Sequence, residues 1–280
     1  MKRVDLHLHS HYSDGTWSPA DMVDHAVQCG IELISLTDHD SLAGLEEARV
    51  RAADRIDLLD GLELSVRFAG QAFHVLAFFP GTIKNIQGDA IEPLARVLRH
   101  NCAVRTGFAE ELVQRLNRDG LPLSMESILE KTGPGTVGKS HITKAIIACG
   151  IEDDITVAYR RFFGSASDYH QERLWVEAEE AFSALDSAGA LKVLAHPGYK
   201  GDVTDTLIKG LAELGLDGIE VFHPYHKEEE KSALSLLAEK LNLAVTGGSD
   251  CHGPYEGESP YMSAQNLASD EVATFLELIS

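Results

Sequence analysis

Two histidines two residues apart, His7 and His9, open the chain within VDLHLHSHYSDG, and a carboxylate, Asp14, follows. On a strand, residues i and i+2 point to one face, so both rings aim at one spot, where neutral imidazoles can ligate a metal. A His-x-His alone is explained more simply by two half-buried strand histidines with ordinary hydrogen bonds. The rest of the chain supplies partners. His39 ends IELISLTDHD, Glu63 and His74 lie in LLDGLELSV and QAFHVLAFF, His196 ends LKVLAHP, His223 ends DGIEVFH, and Asp250 and His252 close LAVTGGSDCH. Taken singly, His74 reads as a core histidine and His196-Pro197-Gly198 as a strand-ending turn. Together they fall where parallel strands gather their C-terminal ends. Cys251 alternates with Asp250 and His252, so it is expected to face away and pack.

Six histidines (7, 9, 39, 74, 196, 252) and three carboxylates (14, 63, 250) exceed the four to six ligands of one divalent ion. They suit two or three ions bridged by a carboxylate. The mixed nitrogen and oxygen donors favour Mn²⁺, Fe²⁺ or Zn²⁺ over Ca²⁺ or Mg²⁺ without choosing among the three, and Mn²⁺ is taken as the leading expectation.

The elements that must hold these groups alternate. SPADMVDHAVQCG reads as a helix capped by Ser18, with Pro19 in its first turn and Gly30 as its stop. SLAGLEEARVRAAD reads as a helix beginning at Ser41. Strand, helix, strand, helix predicts parallel strands with helices outside. Residues 56–79 break that rhythm with two β-rich runs around Ala69-Gly70-Gln71, an antiparallel hairpin that brings Glu63 near His74. From about 89 to 165 the pattern is helical, and afterwards strands and helices alternate again. The expected architecture is a barrel formed by residues 1–98 and 168–280, with a helical cap at 99–167.

At 280 residues and 44% apolar, the chain can bury a substantial core. No signal-like apolar segment opens it and no run nears the roughly 20 residues that cross a bilayer, so a cytoplasmic protein without membrane partners is expected. Cys29, Cys102, Cys149 and Cys251 are widely spaced, which suits reduced thiols. The net charge of −20 should repel long duplex nucleic acid. Between Arg96 and Lys144, however, eight Lys/Arg face five Asp/Glu, so a small anionic substrate is favoured and a short oligonucleotide is tolerated. Oligomeric state is not written in these patterns.

The series His7-x-His9, Asp14, Thr37-Asp38-His39, Gly61-x-Glu63 with His74, Ala195-His196-Pro197 and Gly248-Ser249-Asp250-x-His252 resembles the PHP family, named for polymerase and histidinol phosphatase. The resemblance covers nearly the whole chain apart from the helical middle. It implies a distorted (β/α)7 barrel with up to three metals: the first on His7, His9, Glu63 and Asp250, the second sharing Glu63 with His74 and His196, the third on Asp14, His39 and His252. A further histidine common after the His74 strand has no match here, His100 being in a helical context. The size and the inserted helices look most like the nucleotide phosphatases acting on nucleoside 3′,5′-bisphosphates and the related 5′→3′ exoribonucleases.

Cations of this kind lower the pKa of a bound water from about 15.7 towards about 7 and neutralise phosphoryl oxygens. The expected reaction is hydrolysis of a small nucleotide's phosphate monoester, the 3′-phosphate of a nucleoside 3′,5′-bisphosphate, with His196, Asp250 and His252 at the reacting centre. The glycine-rich stretch TGPGTVGKSHITKAI precedes a helix start at Ser140; Lys139 and His141 there match the family's basic residue and histidine and are expected to meet the substrate. Arg99, Arg105 and His223 are further candidates, while His226 reads as a surface residue. Alternatives are a 5′→3′ exoribonuclease on short 5′-phosphorylated RNA, a non-catalytic metal-stabilised module that binds a polymerase or other partner, and an amidohydrolase.

Overall fold

The computed structural model describes residues 2–280 apart from 84–87, 133–134, 165–166, 170–172, 198–204, 255–261 and 263–266. Its strands are β1 (Val4–Leu8), β2 (Leu33–Leu36), β3 (Asp57–Phe68), β4 (Gln71–Phe79), β5 (Val176–Glu177), β6 (Leu191–Leu194), β7 (Gly218–Phe222) and β8 (Ala244–Gly247). They form one curled sheet in the order β1-β2-β3-β4-β6-β7-β8, with β5 pairing the outer half of β3. Every pairing is parallel except those of β4, which runs antiparallel to both neighbours. A parallel bridge between Leu8 and Cys251, just past β8, brings the first and last strands of the sheet together. This is the expected α/β barrel-type architecture.

Local chemistry explains the first helix, α1 (Pro19–Gln28). Ser18 Oγ accepts from the Asp21 N–H at 3.0 Å, and the Asp21 carboxylate accepts from the Ser18 N–H, a reciprocal cap with Pro19 in the first turn. The helix α2 (Leu45–Ala52) starts four residues later than the sequence pattern predicts. Ser41 does not cap it: its N–H bonds the Asp38 carbonyl and its hydroxyl accepts from the Ala43 N–H, closing a turn before the helix. The hairpin turn is where it was expected. Ala69 and Gly70 both adopt positive φ (51° and 79°) between the paired residues Phe68 and Gln71, as a two-residue hairpin turn requires.

The helical middle consists of α3 (Glu92–Arg118), α4 (Met125–Thr132), α5 (Lys139–Ala148) and α6 (Ile155–Phe163). It is followed by α7 (Ala178–Ser187), α8 (Asp205–Glu213), α9 (Glu228–Leu241) and α10 (Ala273–Leu278), the last not foreseen from the pattern. Helix α3 links two cores. Leu94 and Val97 belong to the main sheet–helix core, whereas Ala109, Leu112, Val113 and Leu116 belong to a separate cap core with Ile142, Ile146 and Phe162. A third cluster joins Leu6, Leu76, Phe78 and Val193 with Phe275 of α10.

Candidate metal centre

The nine predicted ligands converge. His7 Nε2 lies 3.1 Å from His9 Nε2, 3.4 Å from Glu63 Oε2 and 3.4 Å from Asp250 Oδ1; His9 Nε2 lies 3.2 and 3.0 Å from the same two oxygens. Ligands about 2.1 Å from one cation stand about 3.0 Å apart at right angles and about 3.4 Å apart at tetrahedral angles. All five separations fall in that window. Glu63 also faces His39 Nδ1 and His74 Nδ1, each at 2.9 Å, and His196 Nε2 at 3.0 Å. Asp14 lies 3.2 Å from His252 Nε2 and 3.9 Å from His39 Nε2. The groupings compact enough for a single ion are His7, His9 and Glu63; His39, Glu63 and His74; His7, His196 and Asp250; and His9, Asp14, His39 and His252. His39 thus faces two of them, and His9 joins the Asp14 group as well.

These donors fit cations. Glu63 Oε2 and His39 Nδ1 are buried, face each other and make no hydrogen bond, so both lone pairs are left for an electrophile. Burial opposes charge on Glu63, yet His39, His74 and His7 around it hold its carboxyl well below the usual range. Burial likewise opposes protonation of His7, but Glu220, Asp250 and Glu63 outweigh it and raise its pKa well above the ordinary value. Bound cations would take over that compensation.

Strand ends set the geometry. Asp40, His196 and Asp250 all adopt left-handed φ (49°, 32° and 53°), uncommon for non-glycine residues, where the chain leaves β2, β6 and β8. In the β3–β4 hairpin Glu63 pairs with Leu76 and Ser65 with His74, so Glu63 and His74 are diagonal neighbours on one face. Gly248 passes directly against the His7 backbone, where any Cβ would overlap the His7 Cβ. Cys251 packs, almost fully buried, as its alternation predicts.

Four carboxylates not singled out in the sequence hold this centre in place. Glu220 of β7 is fully buried; its Oε1 lies 2.9 Å from His7 Nδ1 and its Oε2 accepts from the His196 N–H at 2.8 Å. It thereby orients His7 with Nε2 towards the other ligands. Asp38 accepts from the Ser10 N–H, the Ser10 hydroxyl and the Ser13 hydroxyl, each at 2.7 Å, fixing the loop that carries Asp14. Asp5 accepts from the Ser249 N–H at 2.9 Å, and burial pushes its carboxyl up to about 7. Asp40 accepts from Ser65, Asn101 and Arg105. Asp38 stands in the Thr37-Asp38-His39 motif; for the other three the only sequence signal was a carboxylate inside or ending an apolar strand.

The cap reaches the centre through the start of α5. Thr136 Oγ1 donates to the His39 carbonyl at 2.9 Å, the Thr136 N–H to the Tyr12 carbonyl at 3.0 Å, and Ser140 Oγ to the Asp14 carbonyl at 3.3 Å. The Gly138 N–H donates to His141 Nδ1 at 3.0 Å, and burial pushes the His141 pKa down to about 4. Lys139 Nζ lies 3.3 Å from the Tyr159 hydroxyl and 5.2 Å from its ring centre. Gly133 of this loop, together with Gly198 and His170, lies outside the described residues.

The remaining candidates are placed differently. Arg105 is bound to Asp40 and Ser65. Arg99 is exposed and pairs with Glu92 at 2.6 Å on the outer face of α3. His223 is fully buried, accepts from the Tyr225 N–H at 3.3 Å and faces Asp250 Oδ2 at 3.4 Å, so it braces that carboxylate. His226, expected at the surface, is buried instead: the turn after β7 folds it back so that its Nδ1 bonds the Val221 carbonyl at 2.8 Å.

Known proteins are similar to this chain in sequence and in fold. The chain is 30% identical over 264 residues to a 3′,5′-nucleoside bisphosphate phosphatase of Chromobacterium violaceum, covering 92% of this chain and 90% of that one. It is 32% identical over 266 residues to a phosphoribosyl 1,2-cyclic phosphate 1,2-diphosphodiesterase of Eggerthella lenta (92% and 97%) and 27% identical over 258 residues to a 5′-3′ exoribonuclease of Haemophilus influenzae (90% and 91%). A solved structure from Bifidobacterium adolescentis, described as a metal-dependent phosphoesterase, superposes with a TM-score of 0.87 at 27% identity, over 98% of this chain and 96% of that one. No described helix is long and apolar enough to cross a membrane. The PHP domain model matches residues 5–211, and the chain belongs to the PHP family of metal-dependent phosphoesterases.

Proposed function

We propose that this enzyme removes the 3′-phosphate of a nucleoside 3′,5′-bisphosphate, leaving the 5′-monophosphate. The observation that carries the reading is a juxtaposition. Imidazoles and carboxylates spaced for cations lie against a cap edge, pinned at Thr136 and Ser140, that brings Gly138 and His141 beside Asp14, with the Lys139 ammonium held next to it on Tyr159. A site of this form suits a compact substrate with one phosphate at the ligands and a second negative group towards the cap. The similarity to a nucleoside bisphosphate phosphatase supports the same substrate class.

The ligands fit two or three divalent ions, of which Mn²⁺ suits the mixed imidazole and carboxylate set. His7, His9, Glu63 and Asp250 would hold one ion; His74, His196 and His39 would extend the site around Glu63, and Asp14, His39 and His252 towards the cap. Bound cations supply charge neutralisation for the phosphoryl oxygens and a water acidic enough to attack at neutral pH. His196, Asp250 and His252 line the reacting centre. The His252 Nδ1 is engaged by the Asp250 carbonyl at 2.7 Å, which turns its Nε2 towards Asp14. Lys139 and His141 are assigned to the substrate; Arg99, Arg105 and His223 are assigned no direct contact, given their partners above.

The test compares turnover of nucleoside 3′,5′-bisphosphates, short 5′-phosphorylated oligoribonucleotides and a ribose 1,2-cyclic phosphate by the metal-loaded protein. The bisphosphate is expected to give the highest kcat/KM. A preference for chains of several residues would instead establish the second reading, a 5′→3′ exoribonuclease, which the basic helical segment and the Haemophilus influenzae relative favour.

A further inference from the structure

A second group of cations stands around Trp175, just before β5. The Arg105 guanidinium lies 5.2 Å from the Trp175 ring centre and that of Arg173 lies 5.7 Å from it, so two cations share one indole. Arg173 is also stacked on Phe108 of α3, 4.0 Å from the ring centre. Their charges are met differently. Arg105 is neutralised by the buried Asp40 at 2.6 Å. Among the described residues, Arg173 has no carboxylate within ion-pair reach and no hydrogen bond to its guanidinium, although it is only partly exposed. Burial and the adjacent Arg105 push its pKa down to about 10, which still leaves it protonated at neutral pH.

Aromatic faces attract a guanidinium but do not accept its in-plane N–H groups, which need oxygen partners. Placing an unpaired cation beside another one costs folding free energy that a neutral residue of the same size would not. The arrangement therefore suits an anion arriving from solution, and a planar fork of donors matches a phosphoryl group. Its position fits. Arg105 ties the pair to Asp40, which follows His39, and to Ser65, which pairs with His74. Tyr159, which contacts Lys139, also lies near Arg173.

We propose that Arg173, packed on Phe108 and Trp175 beside Arg105, binds the phosphoryl group of a doubly phosphorylated nucleotide that is not hydrolysed, and so sets the preference for a bisphosphate. This rests on the reading that the ligand cluster hydrolyses a nucleotide monoester.

Arg173→Met keeps the packing over Phe108 and removes the donors, whereas Arg173→Lys keeps the charge. Steady-state kinetics of the metal-loaded protein on a nucleoside 3′,5′-bisphosphate and a nucleoside 3′-monophosphate form the first arm. R173M is expected to raise KM for the bisphosphate at least tenfold more than for the monophosphate, with R173K in between. Equal losses on both substrates, or none, overturn the proposal; equal losses with a lowered melting temperature identify Arg173 as a packing residue. The second arm needs no turnover. Calorimetric titration of both nucleotides into metal-free protein should show tighter binding of the bisphosphate to wild type and no such preference in R173M. That result in a protein that hydrolyses neither compound keeps the anion site and discards the phosphatase reading; a preference that survives in R173M overturns the site.

Discussion

Replacing Glu220 by glutamine tests whether a residue that touches no substrate governs the metal centre. The carboxylate accepts two buried hydrogen bonds at once, from His7 Nδ1 at 2.9 Å and from the His196 N–H at 2.8 Å. An amide offers one oxygen and one NH₂. If the oxygen keeps the His196 N–H, the NH₂ faces His7 Nδ1 and drives the proton to Nε2, the atom aimed at His9, Glu63 and Asp250. If the oxygen turns to His7, the NH₂ confronts a backbone donor that cannot move. In the second case a buried donor is left without an acceptor, which costs about 1–3 kcal/mol; in the first the proton sits on the nitrogen that must meet a cation and has to be displaced before one binds. Partners that orient ligating histidines typically change metal affinity by about 10–100-fold on mutation, or about 1.4–2.8 kcal/mol, so the two routes to the magnitude agree. Chelator competition measures it directly, and thermal unfolding of the metal-free protein reports the folding share. Metal affinity within twofold of wild type, with an unchanged melting temperature, would refute the argument.

Three further outcomes are expected. Asp250→Asn should lose at least one metal equivalent by elemental analysis and most activity, since Asp250 Oδ1 lies within 3.4 Å of both His7 and His9; full stoichiometry and rate would contradict its place among the ligands. Arg105→Met should lower stability by about 3–5 kcal/mol, measured by urea unfolding, because it leaves Asp40 buried and uncompensated, with Ser65 losing a donor as well. His141, whose pKa is pushed below its ordinary value to about 4 by burial, favours the folded state while neutral. Its contribution is present above about pH 6.5 and lost as pH falls towards about 4, up to about 3 kcal/mol; pH-dependent unfolding of wild type against His141→Gln should converge at low pH, and parallel curves would exclude it.

The parts of this centre that were legible in the sequence are those that short-range geometry controls. His7 and His9 share a face because strands repeat every two residues, and the Ala69-Gly70 turn sets the register that brings His74 to Glu63. Where partner choice depends on distant elements, the same letters mislead. Arg105 reads as a solvated or phosphate-seeking helix residue until Asp40, 65 positions away, is known to lie beneath it. Glu220 looks like one charge in an apolar strand, and its two partners belong to β1 and to the turn after β6. His226 follows a Pro-Tyr pair that suggests an exposed turn, but that turn folds inward to the Val221 carbonyl. The late start of α2 shows the same competition at short range, since the Ser41 hydroxyl closes a turn instead of opening a helix.

The meeting of Leu8 with Cys251 bears on how the molecule is made. The two edges of the sheet join through one bridge and the His9 N–H on the Cys251 carbonyl at 2.9 Å, beside His7 and His9 on one side and Asp250 and His252 on the other. During synthesis the first pair of imidazoles emerges well ahead of Asp250 and His252, so an ion captured early would be held by an incomplete set and exchange freely. Selection of a metal would thus be deferred to the closure of the sheet, and the ion that stayed would rivet its first and last strands together.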